Sequence, residues 1–353
     1  MFLPPFIKTL DDVLPALEGH DEFIVAERDG YKVVNYLVSM EDSFLPKPKC
    51  ITLSNGVGEI GEIQHTMFES EEDINSAIRR ECRGLIFDSD GKIISRRYHK
   101  FFNLGEKEET FPENIDLSRP HKLLVKLDGS MISFIKVNGE YKAATKMGTT
   151  DVAAQVDEFI KDKPAYIDLI SGNGDLTFIF EWLSRKQKIV IDYPRDQLVL
   201  TAIRITETGE YFARDQMVKI IDMHRLYSGI GSFVIPVVPE YDSEKDLKEL
   251  IEEIRVNKEI EGIVIRFDDG EMIKVKTEDY VLMHKAKDSL ALEKNVIALI
   301  VNEKLDDVLG FLSKEDKEKL ENFNALFLNN IFIESSKIHN ALILYKADYD
   351  RKT

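Results

Sequence analysis

Short turn pairs punctuate the apolar runs of this chain. Asp29-Gly30, Asp90-Gly91, Asn138-Gly139, Thr208-Gly209 and Asp269-Gly270 each separate two stretches of strand-forming residues. Pairs of this kind tolerate the positive φ that a tight hairpin turn requires, and the twist of such a turn matches that of two antiparallel strands. DEFIVAERDGYKVVNYLVS, ECRGLIFDSDGKIISRRYHKFFNLGE and EGIVIRFDDGEMIKVKT therefore read as hairpins. HKLLVKLDGSMISFIKVNGEYKAATK adds strands about Asp128-Gly129 and Asn138-Gly139, and QLVLTAIRI turns into EYFAR. LTFIFEWLS and KIVIDY are further apolar strands.

Before residue 281, helical spacing is confined to KTLDDVLPALEG, DVAAQVDEFIKDK, DQMVKIIDMHRLYS and SEKDLKELIEEIRVN, the last with Ser243 placed as its N-cap. Residues 47–78 read as an irregular surface excursion. Everything after about residue 281 reads as helix, in the stretches DSLALEKNVIALIVNEKLDDVLGFL, KEDKEKLENFNALFLNNIFIESS and HNALILYKADYD. Val296, Ile297, Ile300, Val301 and Leu309 are spaced as the core of that tail. The expected fold is α+β, with an antiparallel-sheet domain over 1–280 and a small all-α domain over 281–353.

The net charge of −17 argues against a protein that coats nucleic acid without sequence preference, because such binding rests on neutralising phosphates. Basic residues nevertheless cluster locally, at RRYHK 96–100, RKQK 185–188 and KVK 274–276. No apolar run approaches the roughly 18 residues of a membrane span, and MFLPPFIKTLDD lacks the pattern of a signal peptide. Cys50 and Cys82 form no CxxC pair and the seven histidines no zinc pattern, which suits a reducing cytoplasm.

Four places carry charge where a strand would otherwise be apolar: Lys126-Leu127-Asp128-Gly129, Glu181 within LTFIFEWLS, Glu261 ahead of Gly262-Ile263-Val264-Ile265, and Lys274-Val275-Lys276. Each alone has an ordinary explanation, as a solvated strand end, an edge charge or an exposed face. Together and in this order they supply the parts of covalent nucleotidyl transfer. A lysine amine has a reference pKa of about 10.4 and is inert while protonated. Neighbouring cations expose its lone pair, and Lys274, Lys276 and a bound metal are the candidates for that role. Attack on an α-phosphate then needs in-line positioning and neutralised charge, which cations and a divalent ion provide.

With these residues the sequence resembles the covalent nucleotidyltransferase superfamily, and within it the bacteriophage-type RNA ligase 1 family of tRNA-repair ligases. ECRGLIFDSDG followed by SRRYHKFFNLGE, and DYVLMHKAKDSL after Lys276, carry the resemblance further. It implies an antiparallel, ATP-grasp-like ligase domain and an ATP-dependent RNA ligase that uses Mg2+ or Mn2+. Lys126 would be the nucleophile, with Lys274 and Lys276 on the α-phosphate. Arg83, Lys100, Phe102, Asp128, Gly129, Lys146, Glu181 and Val264 would bind the nucleotide: Arg83 and Lys100 the triphosphate tail and later the RNA 5′-phosphate, Asp128 and Glu181 the ribose. Glu261 would hold the metal through water. The implied partner is RNA with 5′-phosphate and 3′-hydroxyl ends, single-stranded or a nicked tRNA, acted on by a cytoplasmic, phage-encoded monomer with no membrane association. A DNA ligase or capping guanylyltransferase would share the lysine chemistry but normally appends a β-barrel, where this tail reads as helices. A non-catalytic RNA-end-binding protein would have lost one of these residues.

Overall fold

The computed structural model describes residues 2–37, 43–45, 47–58, 61–186, 190–227, 233–278, 280–281, 293–301 and 314–350. The chain forms two compact units, Met1–Thr277 and Glu278–Thr353.

The first unit holds three four-stranded sheets. Sheet A has the order β1 (Phe23–Arg28), β2 (Tyr31–Tyr36), β5 (Arg83–Asp88), β6 (Ile93–Ser95). Sheet B runs β10 (Glu140–Ala144), β9 (Ser130–Val137), β11 (Leu176–Leu183), β12 (Gln197–Ile205). Sheet C runs β7 (Phe102–Asn103), β14 (Met272–Lys276), β13 (Gly262–Phe267), β8 (His121–Lys126). All their pairings are antiparallel except that of β7 with β14. The turns at Asp29-Gly30, Asp90-Gly91, Asn138-Gly139 and Asp269-Gly270 each join two paired strands. At Thr208-Gly209 the return is only an isolated bridge between Arg204 and Tyr211.

Helices cover the outer faces. The α1 turn (Leu14–Leu17) and α2 (Glu71–Glu81) pack their apolar side chains with those of sheet A. α3 (Asp151–Ile160), α4 (Ala165–Ser171) and α5 (Arg214–Tyr227) do so with sheet B, and α6 (Leu247–Arg255) with sheet C. Two smaller clusters join the layers: Val33, Ile86 and Val137 fill the seam between sheets A and B, and Leu124, Leu183 and Val199 the seam between B and C. Among the described residues no helix is long and apolar enough to cross a membrane.

The structure departs from the sequence reading in several places. Asp128-Gly129 closes no hairpin: β8 pairs with β13 while β9 pairs with β10 and β11, so this turn carries the chain from sheet C to sheet B. Residues 47–78 are not irregular. They form the ribbon β3 (Cys50–Gly58) and β4 (Gly61–Phe68), followed by α2. The acidic ESEED is the start of that helix: Ser70 caps it by accepting the Asp73 N–H, and Glu71, Glu72 and Asp73 complement the helix dipole. The described part of KIVIDY makes no strand. KTLDDVLPALEG splits into a 3-10 turn, Leu10–Asp12, and α1. The N-cap of α6 is Asp246, which accepts the Glu249 N–H at 2.9 Å, and not Ser243.

Among the described residues of the second unit are α7 (Glu293–Val301) and α8 (Lys314–Asp350), the latter a continuous helix of 37 residues. Ser335-Ser336 does not interrupt it, because serine disfavours a helix by only about half a kcal/mol. Val296 is buried but Val301 is 65 % exposed, and Leu309 lies outside the described residues, as does most of DYVLMHKAKDSL.

A buried charge network underlies sheet A. The Glu81 carboxylate accepts from Arg96 Nε at 3.2 Å and from Arg204 Nη1 and Nη2 at 2.8 and 2.9 Å, and all three side chains have no exposure. Burial by itself raises a carboxyl pKa; the Arg204 and Arg96 guanidinium groups outweigh it and hold Glu81 well below the usual glutamate range. A depressed carboxyl contributes stability above its unfolded pKa, about 4.3, which is lost as pH falls toward the folded value. Glu81→Gln is expected to cost about 3–5 kcal/mol at pH 7, since two buried guanidinium groups lose their anion. Its penalty against the parent chain should shrink in denaturation series run below pH 4; a pH-independent difference would contradict this.

Candidate active site

Lys126 is the last residue of β8, and the site is built around its pairing. On the central strand β13, Gly262 lies opposite Lys126 on one side and opposite Lys276 of β14 on the other. Directly cross-strand residues share a face, so the two lysines flank a lane that has no side chain at 262. Glu261 sits at the head of that lane, only 2 % exposed, and accepts from Lys126 Nζ at 2.6 Å and Lys276 Nζ at 3.1 Å. Two residues along, Val264 lies between Lys274 on β14 and Leu124 on β8.

The turn after Lys126 is pinned in place. A Cβ on Gly129 would come 2.4 Å from the Trp182 carbonyl oxygen, so only glycine lets the turn lie against β11. Asp128 Oδ2 accepts the N–H groups of Val190 and Ile191, both at 2.7 Å, and the Asp128 N–H donates to the Tyr193 hydroxyl at 2.9 Å. Asp128, expected at the ribose, is 4 % exposed and anchors the 190–193 segment against the turn. It also explains why KIVIDY makes no strand there, since its N–H groups go to a carboxylate. Across the turn on β11 stands Glu181. Burial, reinforced by the charges of Glu261 and Asp128, pushes its carboxyl up to about 7 against the opposing pull of Lys126 and Arg83.

A second group of cations converges from sheet A. Arg83 begins β5, and Lys100 and Phe101 directly precede β7. Lys274 Nζ lies 4.9 Å and Arg83 Cζ 5.9 Å from the Phe101 ring centroid. Lys100 Nζ sits in a cage of Tyr36, Phe44 and Phe102, at 5.3, 5.1 and 5.3 Å, and Lys146 Nζ is 5.8 Å from the same Tyr36 ring. Gly84, at φ +85°, brings Lys146 in: its Cβ would fall 2.7 Å from the Lys146 Cα. Among the described residues none of Arg83, Lys100, Lys146 and Lys274 has a carboxylate within ion-pair distance. Burial, then the charges of Arg83, Lys100 and Lys126, pushes the Lys274 amine down to about 7. Burial, with the charges of Arg83 and Lys107, also lowers Lys100 against the pull of Glu106. Glu106 acts on Lys100 and Lys274 only from beyond ion-pair contact, and cations gathered without a paired anion make a site for a polyanion.

Phe102 was expected at the nucleotide. It is 2 % exposed in the core of sheet A and forms one wall of the Lys100 cage, while its neighbour Phe101 faces the cations. Arg96 and Arg97 of the RRYHK cluster are likewise buried and structural, so of that cluster Lys100 is the cation in the site. Of RKQK, residues 187–188 lie outside the described residues. The sequence reading missed Tyr36 and Phe101. Tyr36 ends an unremarkable alternating strand and offers no local signal. Phe101 was half visible, since two adjacent aromatics leave open which of them faces the core.

Three comparisons with known proteins bear on this arrangement. The family model described as RNA ligase matches residues 81–290, more than half of the chain. The chain belongs to the RNA ligase family. The matched span contains Arg83, Lys100, Lys126, Lys146, Glu181, Glu261, Lys274 and Lys276, and leaves out Tyr36 and Phe44. Among curated relatives, a Thermovibrio ammonificans protein provisionally named RNA ligase is 27 % identical over 276 residues, covering 75 % of this chain and 69 % of its own. RNA ligase 1 of bacteriophage TS2126 is 26 % identical over 254 residues, covering 67 % of this chain and 60 % of its own. RNA ligase of Rhodothermus phage RM378 is 24 % identical over 306 residues, with 70 % and 68 % covered. Among solved structures, an archaeal ATP-dependent RNA ligase aligns over 89 % of this chain and 75 % of that one, at 13 % identity and a TM-score of 0.46.

Proposed function

We propose that this RNA ligase family member joins RNA 5′-phosphate and 3′-hydroxyl ends with ATP, through a covalent adenylate on Lys126. The single observation that carries the reading is a lysine beside a cation cluster that lacks carboxylate partners among the described residues. Lys126 Nζ attacks the α-phosphorus of ATP: a P–N bond forms, the bond to the β-phosphate breaks, pyrophosphate leaves and the amine gives up its proton. An RNA 5′-phosphate oxygen then displaces Lys126, giving an RNA capped by AMP through a pyrophosphate link. The 3′-hydroxyl of a second end attacks the RNA phosphorus, loses its proton and releases AMP.

Arg83, Lys100 and Lys146 take the β- and γ-phosphates in the first step and the RNA 5′-phosphate in the second. Lys274 and Lys276 neutralise the α-phosphate, where charge develops. Glu181, with its carboxyl raised to about 7 by burial, can donate as well as accept a hydrogen bond at the ribose. Val264 lies in the lane against the nucleoside. Among the described residues no three His, Cys, Asp or Glu side chains gather to cage a metal. The hard oxygens of Glu261 still suit Mg2+ or Mn2+ through water, because such an ion takes most of its ligands from phosphate and water. When bound, the ion neutralises phosphate charge. The RNA class we infer is single-stranded or nicked, nicked tRNA included, with the enzyme acting as a monomer in the cytoplasm.

The test is incubation with Mg2+ and α-labelled ATP or GTP, before and after stripping with pyrophosphate, followed by peptide mapping. Label from ATP on Lys126 is the expected result; label from GTP alone, or none after stripping, overturns the reading. We assign adenylylation to residues 1–277 and RNA selection to 278–353. A chain ending at Thr277 should keep self-adenylylation and lose RNA joining. Lost adenylylation in a truncated chain that still melts cooperatively would refute that division.

A further inference from the structure

We infer that Phe101 is a positioning residue for phosphate binding: its ring holds Arg83 and Lys274 side by side as a preassembled cationic pair. The inference rests on the proposed phosphate role of that cluster. The charge of Arg83 acts against that of Lys274, and burial adds to the cost of Lys274 staying charged, with Glu106 the weaker opposing pull. Among the described residues no carboxylate pairs with either one. What both do share is one ring, at 5.9 Å from Arg83 Cζ and 4.9 Å from Lys274 Nζ, within the range at which an aromatic quadrupole attracts a cation.

The ring is itself fixed. Tyr98 meets it edge-on at 5.7 Å and His99 lies at 5.9 Å. His99 is stacked on Phe2 at 4.1 Å and bonded through Nδ1 to the Tyr211 hydroxyl at 2.9 Å. Phe102, next along the chain, is locked in the core. Phe101 therefore has little freedom to swing away, and the cations have a defined place to rest.

The choice of an aromatic ring also fits the chemistry of turnover. A carboxylate here would hold both cations more strongly but would compete with the incoming phosphate and repel it. An aliphatic side chain would leave the cations free to drift apart. A ring attracts them weakly enough to yield them to a phosphate, and it carries no charge of its own. The pair is needed twice in the proposed sequence, for the triphosphate and again for the RNA 5′-phosphate.

The experiment uses the full chain carrying Phe101→Leu or Phe101→Tyr, with Kd for inorganic pyrophosphate and KM and kcat for ATP in self-adenylylation as readouts. Phe101→Leu should weaken pyrophosphate about fivefold, raise KM for ATP in parallel and leave kcat nearly unchanged. Phe101→Tyr, which keeps the ring, should bind as the parent does. Losing the ring removes a partner of the charged amine of Lys274, so the alkaline limit of pyrophosphate binding should move to lower pH in Phe101→Leu and not in Phe101→Tyr. If the leucine variant melts lower than the parent, Phe101→Met, closer in volume and also ringless, should give the same loss of affinity. Parent-like binding by the leucine or methionine variant, or equal losses in leucine and tyrosine variants, would overturn the inference. A parent chain that binds no pyrophosphate would instead overturn the proposed function together with it.

Discussion

Lys126→Ala should form no covalent adenylate, a loss of at least about 10⁴-fold in self-adenylylation. The fold should survive, because the side chain is at a strand end with 22 % of its surface exposed, and Glu261 keeps Lys276 at 3.1 Å. Lys126→Arg should fail equally, since a guanidinium stays protonated and cannot attack. The informative companion measurement supplies RNA already carrying the 5′-adenylate. Its joining to a 3′-hydroxyl needs the phosphate-binding cations but no attack by Lys126, so both variants should retain it. Persistent labelling of Lys126→Ala with α-labelled ATP would remove Lys126 as nucleophile. Loss of joining from the pre-adenylated RNA would instead mean that Lys126 also works after its own chemistry is complete.

Glu261→Ala should slow self-adenylylation by about 10²- to 10³-fold and shift its Mg2+ dependence to higher concentration. Two effects combine. The buried carboxylate is the anion that holds the Lys126 and Lys276 ammonium groups on either side of Gly262, and without it two like charges face each other across one strand. The substitution also removes the oxygen proposed to hold metal-bound water. Glu261→Gln separates the two, since its amide keeps an oxygen able to accept from a lysine but loses the charge that favours a divalent ion. A rate within about threefold of the parent, on the scale where one oriented electrostatic contact is worth 10² or more, would show that Glu261 serves only the fold.

The motif residues could be read along the chain because each breaks a local rule. Glu181 interrupts an apolar strand, and Lys274 and Lys276 share one face by simple alternation. The hairpins were legible for the same reason: a turn pair such as Asn138-Gly139 states its geometry within a few residues, and Asn138 does adopt φ +52°. The ribbon at 50–68 was less so, because its glycines resemble a loop. The ESEED acids were misread because a helix start and a solvated loop have similar compositions.

The sequence by itself determined the antiparallel class, the helical tail and the identity of the lysines and acids, since these follow from short-range periodicity and from the charge of single side chains. Only the tertiary structure decided which partner each group meets. It gave Asp128 the N–H groups of Val190 and Ile191 as partners, set the ring of Phe101 beside Lys274, and brought Tyr36 to both Lys100 and Lys146. Those outcomes depend on sheets A, B and C meeting across long stretches of chain. The free energy of a charge or a ring there is set by burial and by neighbours brought from elsewhere, and no local pattern encodes them.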